Sequence, residues 1–414
     1  MLYCLCKQMF VRRCLQMDKV ILHCDCNSFF ASVETVAHPE YKTLPMAVCG
    51  SKEERHGVVL AKNDLAKKSG VITGEPICKA QKKCPGLVIA PPHPRLYDEY
   101  SKEVNKIYFD YTDMVEPFGI DESWLDVTGS TNLFGSGKTI ADEIRERIKK
   151  ELGITISAGV SFNKTFAKLG SDYKKPDATT VIGRDTYRQI LFPLPVGDMM
   201  YIGRHTVPKL KMLGINTIGD LASADEGVLT SFFGKMGRSL YNACNGRDES
   251  EVITTPPPPK SYGNGMTFLR DLKGEEDFRK AVAFLADRVT GRMREGGYKC
   301  RTVSVTVRDA NFLVKSRQKK LSSPVSSSVI VEETAIALIL GSFNTSLPVR
   351  SLQVACGDLT DGKNPNSQLC FVYTKEEERE KRLDSLDGET DRLRALFGRD
   401  IIKRASFIGN DLGI

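Results

Sequence analysis

The chain has 414 residues, of which 41% are hydrophobic, and a formal net charge of +7. That length is too great for one compact domain, and the apolar content suffices for several packed cores. No apolar run reaches membrane-spanning length, which excludes a helical membrane protein. The 12 cysteines include no Cys-x-x-Cys pair, so they read as small hydrophobes of a reducing, cytoplasmic compartment rather than as zinc ligands.

Residues 1–17 carry Cys4, Cys6, Arg12 and Arg13 but lack the apolar core and small-residue cleavage site of a signal peptide. They are expected to be a non-native leader, with translation starting at Met17. An apolar strand, Val20 to Cys24, then runs straight into Asp25. Ser28 is predicted to N-cap a helix built on Phe29, Phe30, Val33 and Val36. Short strands at 45–49 and 57–61, a helix over 64–69 and a Pro-rich exit at 90–94 follow. Leu96 to Met114 reads as a helix whose Tyr97, Tyr100 and Tyr111 serve packing.

Val115 to Val127 is predicted to be a pair of short strands or a hairpin with Asp121 and Glu122 at its bend. Adjacent carboxylates in an apolar frame repel, and a hard cation between them removes the penalty. An acidic hairpin tip alone reads as solvated surface. A second acidic strand end at Asp25 changes that reading. Three carboxylates and a backbone carbonyl such as that of Cys26 are the donors that two-metal phosphoryl transfer needs.

Thr139 to Leu152 is an amphipathic helix with Ile140, Ile144 and Ile148 on one face and expected pairs Glu143–Arg147 and Glu146–Lys150. Its entry, Gly135 to Thr139, mimics the end of a P-loop, but no strong strand precedes it and the first glycine is missing, so it reads as a turn. Ile154 to Val160 is another strand. Strand, helix, hairpin, helix and strand make a ferredoxin-like α+β sheet. The lysines of Ser161 to Lys175 are candidates for phosphate contact, with Lys164 and Lys168 equally readable as a solvated helix face.

Thr254 to Ser261, with four consecutive prolines, is a stiff tether. From Lys260 to Lys320 there are 15 Lys and Arg against 7 Asp and Glu, a local surplus that points to a polyanion. Arg301 to Arg308 alternates as a half-buried strand with Val303, Val305 and Val307 inward. Phe312 to Leu321 gives a second strand, with Lys315, Arg317 and Lys319 completing one basic face. Ile330 to Leu340 is a helix and Arg350 to Cys356 a returning strand. Between Lys375 and Arg404, Leu383, Leu386, Leu393 and Leu396 form a candidate docking stripe.

The motifs Asp-x-Asn-Ser-Phe-Phe-Ala-Ser-Val-Glu from Asp25 and Gly-Ile-Asp-Glu-Ser-Trp-Leu-Asp-Val from Gly119 resemble the catalytic motifs of Y-family DNA polymerases, in the DinB or polymerase IV branch. The likeness continues through Ser157 to Leu169, Ser171 to Pro176 and Phe233 to Tyr241. It implies a palm (18–37 and 95–182), small fingers (38–94), a helix-hairpin-helix thumb (183–253), a linker (254–261), a separate α+β little finger (262–358) and a C-terminal tail (359–414). It also implies error-prone, translesion addition of dNTPs to a primer by a monomeric enzyme. Asp25, Asp121 and Glu122 would be catalytic and, with Cys26, would hold two Mg2+ ions for which Mn2+ can substitute.

Phe30 takes the place of the steric gate against a ribose hydroxyl, and Phe29, Lys67 and Lys175 line the nucleotide. Asp64 and Lys67 stand where the family commonly has Tyr and Arg, which puts Asp64 at odds with a triphosphate. Gly203 and Arg238 in the thumb, and Arg301, Arg308, Lys315 and Arg317 in the little finger, are the expected DNA contacts. Tyr201 replaces a glycine common in the family's thumb. Gln368, Leu369 and Phe371 resemble a degenerate sliding-clamp peptide. Three other readings stay open: a UmuC-like subunit dependent on partners, a catalytically inactive DNA-binding adaptor, and a cyclase on a similar palm.

Overall fold

The computed structural model describes residues 18–51, 55, 57–361, 375–399 and 401–414. The expected leader and the clamp-like residues Gln368, Leu369 and Phe371 lie outside them. The chain divides into two compact units, one ending at Cys49 and resuming over Val58–Pro256, the other comprising Gly50–Gly57 and Pro257–Ile414. The division falls inside the proline run.

In the first unit, β1 (Ile21–Cys26) leads into α1 (Phe29–Ala37). Ser28 does not cap this helix: its backbone is left-handed, at φ 49°, and its side chain makes no capping bond. The sharp exit from the strand uses the residue for its backbone, which carries the hydroxyl away from the first-turn N–H groups. A small sheet follows, of β2 (Met46–Cys49), β3 (Val59–Lys62) and β4 (Val88–Ala90), with α2 (Asp64–Lys68) and α3 (Ile77–Lys83). Asn63 caps α2 by accepting from Ala66 N.

Next come α4 (Pro94–Phe109), β5 (Val115–Pro117), β6 (Glu122–Asp126), α5 (Thr131–Phe134), α6 (Gly137–Leu152), β7 (Ile156–Ser161), α7 (Lys164–Tyr173) and β8 (Thr179–Ile182). The five-stranded sheet has the order β5-β6-β1-β7-β8, with β1 central and antiparallel to both neighbours. Alternation along β1 turns Leu22, Cys24 and Cys26 into a core with Tyr108 of α4 and Ile140, Ile144 and Ile148 of α6. The opposite face, with Ile21, His23 and Asp25, lies under α7, where Ile21 packs with Trp124 and Ala167. Gly159 of β7 permits that approach: a Cβ there would fall 1.9 Å from the Ala167 carbonyl oxygen. Of the expected pairs along α6, that of Arg147 with Glu143 is replaced, Arg147 bonding Glu151 and Asp110.

The unit closes with α8 (Tyr187–Leu191), α9 (Thr206–Met212), α10 (Ile218–Ser223), α11 (Glu226–Phe233) and α12 (Lys235–Cys244), packed around Leu210, Ile218, Leu221, Leu229 and Leu240.

The second unit holds β9 (Ser261–Leu272), α13 (Gly274–Glu295), β10 (Tyr298–Asp309), β11 (Val314–Val325), α14 (Ser328–Ser342), β12 (Val349–Asp361) and α15 (Lys375–Phe397). The sheet order is β11-β10-β12-β9. Val303, Val305 and Val307 pack against α13 and α14 residues such as Phe278, Leu285, Val331 and Ile339. The strands overrun the expected domain limits, since β9 starts at Ser261 and β12 runs to Asp361. Residues expected in a separate tail also join this core, through Phe407 and Leu412.

Two further expectations fail. Lys315 pairs with Val307, Arg317 with Val305 and Lys319 with Val303. Directly opposed residues share a face, so these cations lie on the valine side of an edge strand, whereas Arg308 lies on the other side. There is no single basic face. Likewise α15 docks chiefly through aspartates: Asp384 accepts from Lys299 at 2.9 Å, Asp391 from Arg294 at 2.6 Å, and Asp387 from the N–H of Ser328 at 2.8 Å, while of the expected leucines Leu386 and Leu396 are exposed and Leu383 and Leu393 half-buried.

Candidate active site

The antiparallel register sets Asp25 of β1 opposite Glu122 of β6, and the Cys26 N–H donates to the Asp121 carbonyl oxygen at 2.9 Å. Gly119, at φ 85°, makes the turn that brings Asp121 and Glu122 back beside β1. The three carboxylates expected to be catalytic are thus neighbours, Asp25 and Glu122 on paired strands and Asp121 in the bend just before β6. Cys26 turns its thiol into the core, where burial pushes it well above its ordinary value. Only its carbonyl is left as a metal donor.

Lysines from α7 and the residues after it enter this cluster. Lys168 Nζ lies 3.1 Å from Asp25 Oδ2 and 3.0 Å from Glu122 Oε2; Lys175 Nζ lies 2.6 Å from Asp25 Oδ2 and 2.6 Å from Asp172. Lys168 is therefore no solvated helix residue. Nor is Lys164, whose ammonium is 2.6 Å from Glu116 and 4.4 Å from the Trp124 ring centroid. Helical periodicity showed which lysines share a face; it carried no signal that acids lay opposite.

Burial and the nearby charges of Asp25 and Glu122 push Asp121 up to about 6. Burial pushes Glu122 up too, but the His23 ring nitrogen in contact with it and the Lys168 ammonium outweigh that and hold Glu122 at about 2. Burial lowers Lys168, and the surrounding carboxylates overcome that and raise it. His23, fully buried, is pushed below its usual value chiefly by burial. Its Nδ1 is 2.8 Å from Ser171 Oγ and its Nε2 3.2 Å from Glu122 Oε2.

Hard carboxylate oxygens suit a divalent cation, and the register brings Asp25 opposite Glu122 with Asp121 beside them. In donor chemistry and placement the residues fit such an ion. As the side chains stand, no group of three among the described His, Cys, Asp and Glu closes around one position. The ammonium groups occupy the space between the acids, so ion binding requires them to turn away.

Beside the acids, Phe30 is half-buried and stacks on Tyr97, with centroids 4.2 Å apart and planes 11° from parallel. Tyr97 OH donates to the buried Glu34 at 2.5 Å, and His93 Nδ1 lies 2.8 Å from the same oxygen. Phe29 is buried in the core. Lys67 is exposed in the last turn of α2 and Asp64 is exposed in its first. Lys62, which sequence reasoning passed over, is lowered by burial and then by Lys67, so the two cations are close.

Farther out, Gly203 is exposed in the turn before α9, where its carbonyl accepts from Thr206 and Val207. Tyr201 takes the left-handed backbone, φ 66°, that a glycine adopts more readily. Arg238 is exposed and bonded to Glu226 at 2.9 Å. Arg301 sits at a β-bulge and Arg308 is exposed, while Lys315 and Arg317 are exposed on β11.

Comparison with known proteins places this arrangement. Residues 24–172 match the impB/mucB/samB family, 259–369 its C-terminal domain, and 199–248 the thumb domain described for DNA polymerase-iota. The DNA polymerase IV of Acetivibrio thermocellus is 45% identical over 390 residues, covering 94% of this chain and 97% of that one. That of Moorella thermoacetica is 36% identical over 390 residues, covering 94% and 96%. A solved Y-family DNA polymerase chimera matches with a TM-score of 0.73 at 24% identity, covering 82% of this chain and 99% of that one. Among the described residues no helix is long and apolar enough to cross a membrane.

Proposed function

The chain belongs to the Y family of DNA polymerases, in the DNA polymerase IV branch, and is a DNA-directed DNA polymerase of the translesion type; from that premise we propose that its chemistry runs at Asp25, Asp121 and Glu122. The family depends on divalent metal ions and acts on primer-template DNA and dNTPs. The observation that carries the site assignment is the register that pairs Asp25 with Glu122 and bonds Cys26 to Asp121.

Asp25 and Asp121, with the Cys26 carbonyl, would hold two Mg2+ ions, for which Mn2+ could substitute. When bound, these ions supply charge stabilisation for the attacking and leaving oxygens. Glu122 would add a further carboxylate donor to that ion site and would take part in activating the 3′-hydroxyl. Lys175, freed from Asp25, neutralises the triphosphate, and Lys67 adds charge from the fingers. Phe30 lies under the sugar and excludes a 2′-hydroxyl, with Phe29 behind it.

The Gly203 turn and Arg238 hold duplex phosphates, as do Arg301, Arg308, Lys315 and Arg317 in the second unit. The protein works as a cytoplasmic monomer, and Gln368, Leu369 and Phe371 engage a sliding clamp. Primer extension with Mg2+ tests the site. Asp121→Ala loses at least about 10³-fold in rate, and a variant as fast as wild type would remove the assignment.

A further inference from the structure

His23 has no part in the chemistry above, yet it is fully buried beside the acids. It lies two residues before Asp25 on the same face of β1, opposite Trp124 on one side and Gly159 on the other. The missing side chain at Gly159 lets α7 close over it. The ring touches two polar groups, Ser171 Oγ at 2.8 Å from Nδ1 and Glu122 Oε2 at 3.2 Å from Nε2. Nε2 is not aligned for a full hydrogen bond in this state, so the contact tightens only with a small turn of the carboxylate.

For the neutral ring, which burial favours, the protons have two arrangements. Ser171 Oγ is also 2.8 Å from the Lys168 carbonyl. If Ser171 donates there, Nδ1–H must donate to Ser171, and the bare Nε2 lone pair then faces a carboxylate. If Ser171 donates to Nδ1, Nε2 carries the proton and donates to Glu122. The Lys168 carbonyl loses little by this, since inside α7 its helical partner is the N–H of Asp172. The second arrangement satisfies every group and the first sets two acceptors against each other.

We infer that His23, fixed in its Nε2–H form by Ser171, is the positioning residue for Glu122. It holds Oε2, the oxygen also met by Lys168, so that Oε1, which accepts no described hydrogen bond, is the oxygen presented to the ion. Lys168 can leave when metal arrives; His23, packed edge-on at 5.1 Å from Trp124, cannot. Orientation of a ligating carboxylate by a buried donor is typically worth 10–100-fold in metal affinity or rate. The inference rests on Glu122 being part of the catalytic site.

The test uses the full chain and five variants. His23→Phe keeps the ring and removes both polar atoms. His23→Gln restores a donor near the Nε2 position, and His23→Asn restores one only near Nδ1. Two quantities are read: kcat and KM for single-nucleotide insertion, and Mn2+ affinity from the electron paramagnetic resonance of free Mn2+ without nucleotide or turnover.

The expected result is a loss of about 10–100-fold in kcat and in the affinity of one Mn2+ site for the Phe and Asn variants, with KM for dNTP within about twofold. The Gln variant recovers most of both. Equal behaviour of the Gln and Phe variants, whether both fall or both match wild type, overturns the inference. Should His23→Phe fail to fold, Ser171→Ala decides, because it frees the tautomer: it lowers Mn2+ affinity if the inference holds and leaves it unchanged if not. Glu122→Gln separates the two levels. If it polymerises normally the site assignment falls, whereas a dead Glu122→Gln beside a normal His23→Phe removes only the role of His23.

Discussion

Acidification weakens ion binding at the carboxylate cluster in a range where ordinary aspartates are unaffected. Asp121, pushed up to about 6 by burial and by Asp25 and Glu122, must be ionised to ligate. At pH 7.5 it is almost fully ionised, and at pH 5 roughly a tenth is, so divalent affinity drops about tenfold between them. An aspartate at its usual value stays over nine-tenths ionised at pH 5 and gives almost no change. Glu122, held at about 2, contributes nothing across this range.

Stability of the metal-free protein moves in the opposite direction, because the proton that blocks ligation at Asp121 is bound more tightly by the folded state. A carboxyl raised in the folded state favours folding below its unfolded value, and that contribution is lost as pH climbs through about 6. Asp121 is only partly buried and the acids are coupled, so about 1–2 kcal/mol is the scale. Mn2+ titrations by electron paramagnetic resonance at pH 5 and 7.5, on wild type and Asp121→Asn, measure the affinity. Equal wild-type affinities at the two pH values, or an equal fall in Asp121→Asn, would refute the assignment of the proton to Asp121.

Phe30→Ala opens the space beneath the sugar, and ribonucleotide insertion rises by one to two orders of magnitude on a labelled primer. Tyr97→Phe keeps the stack, so sugar selection is unchanged while thermal stability falls by about 1–3 kcal/mol, because buried Glu34 loses a donor. Lys168→Met removes the ammonium shared by Asp25, Glu122 and Asp172; the metal-free protein loses about 2–3 kcal/mol, and calorimetry shows Mg2+ restoring much of it. Asp387→Ala strips the bonds that Ser328 makes to α15, which costs about 1–2 kcal/mol and, in limited proteolysis, exposes α15 to earlier cleavage.

The acidic centre was legible because strand alternation and a tight turn determine where Asp25, Asp121 and Glu122 point, and these are local properties. Lys168 was not legible, since a helix pattern gives relative orientation around its own axis and no information about the sheet it covers. The same limit explains α15, where the leucines and the aspartates each recur at helical spacing and only the position of Arg294 and Lys299 selects the aspartates. On β11 both faces are polar, so nothing local fixes the register. A one-residue slip moves Lys315 and Arg317 to the opposite side of the sheet. Ser28 shows a different failure: its composition suits a cap, and the sharp corner after β1 took its backbone instead.

The ammonium groups between the acids carry a preparative implication. Because the centre brings its own counter-cations, the fold is expected to survive removal of dissolved ions. Exhaustive treatment with a chelator then silences synthesis without unravelling the palm, and activity returns on simple replenishment. Catalytic competence becomes an exchange of tethered positive charge for diffusible positive charge, which sets a natural ceiling on how tightly the ions are retained between turnovers.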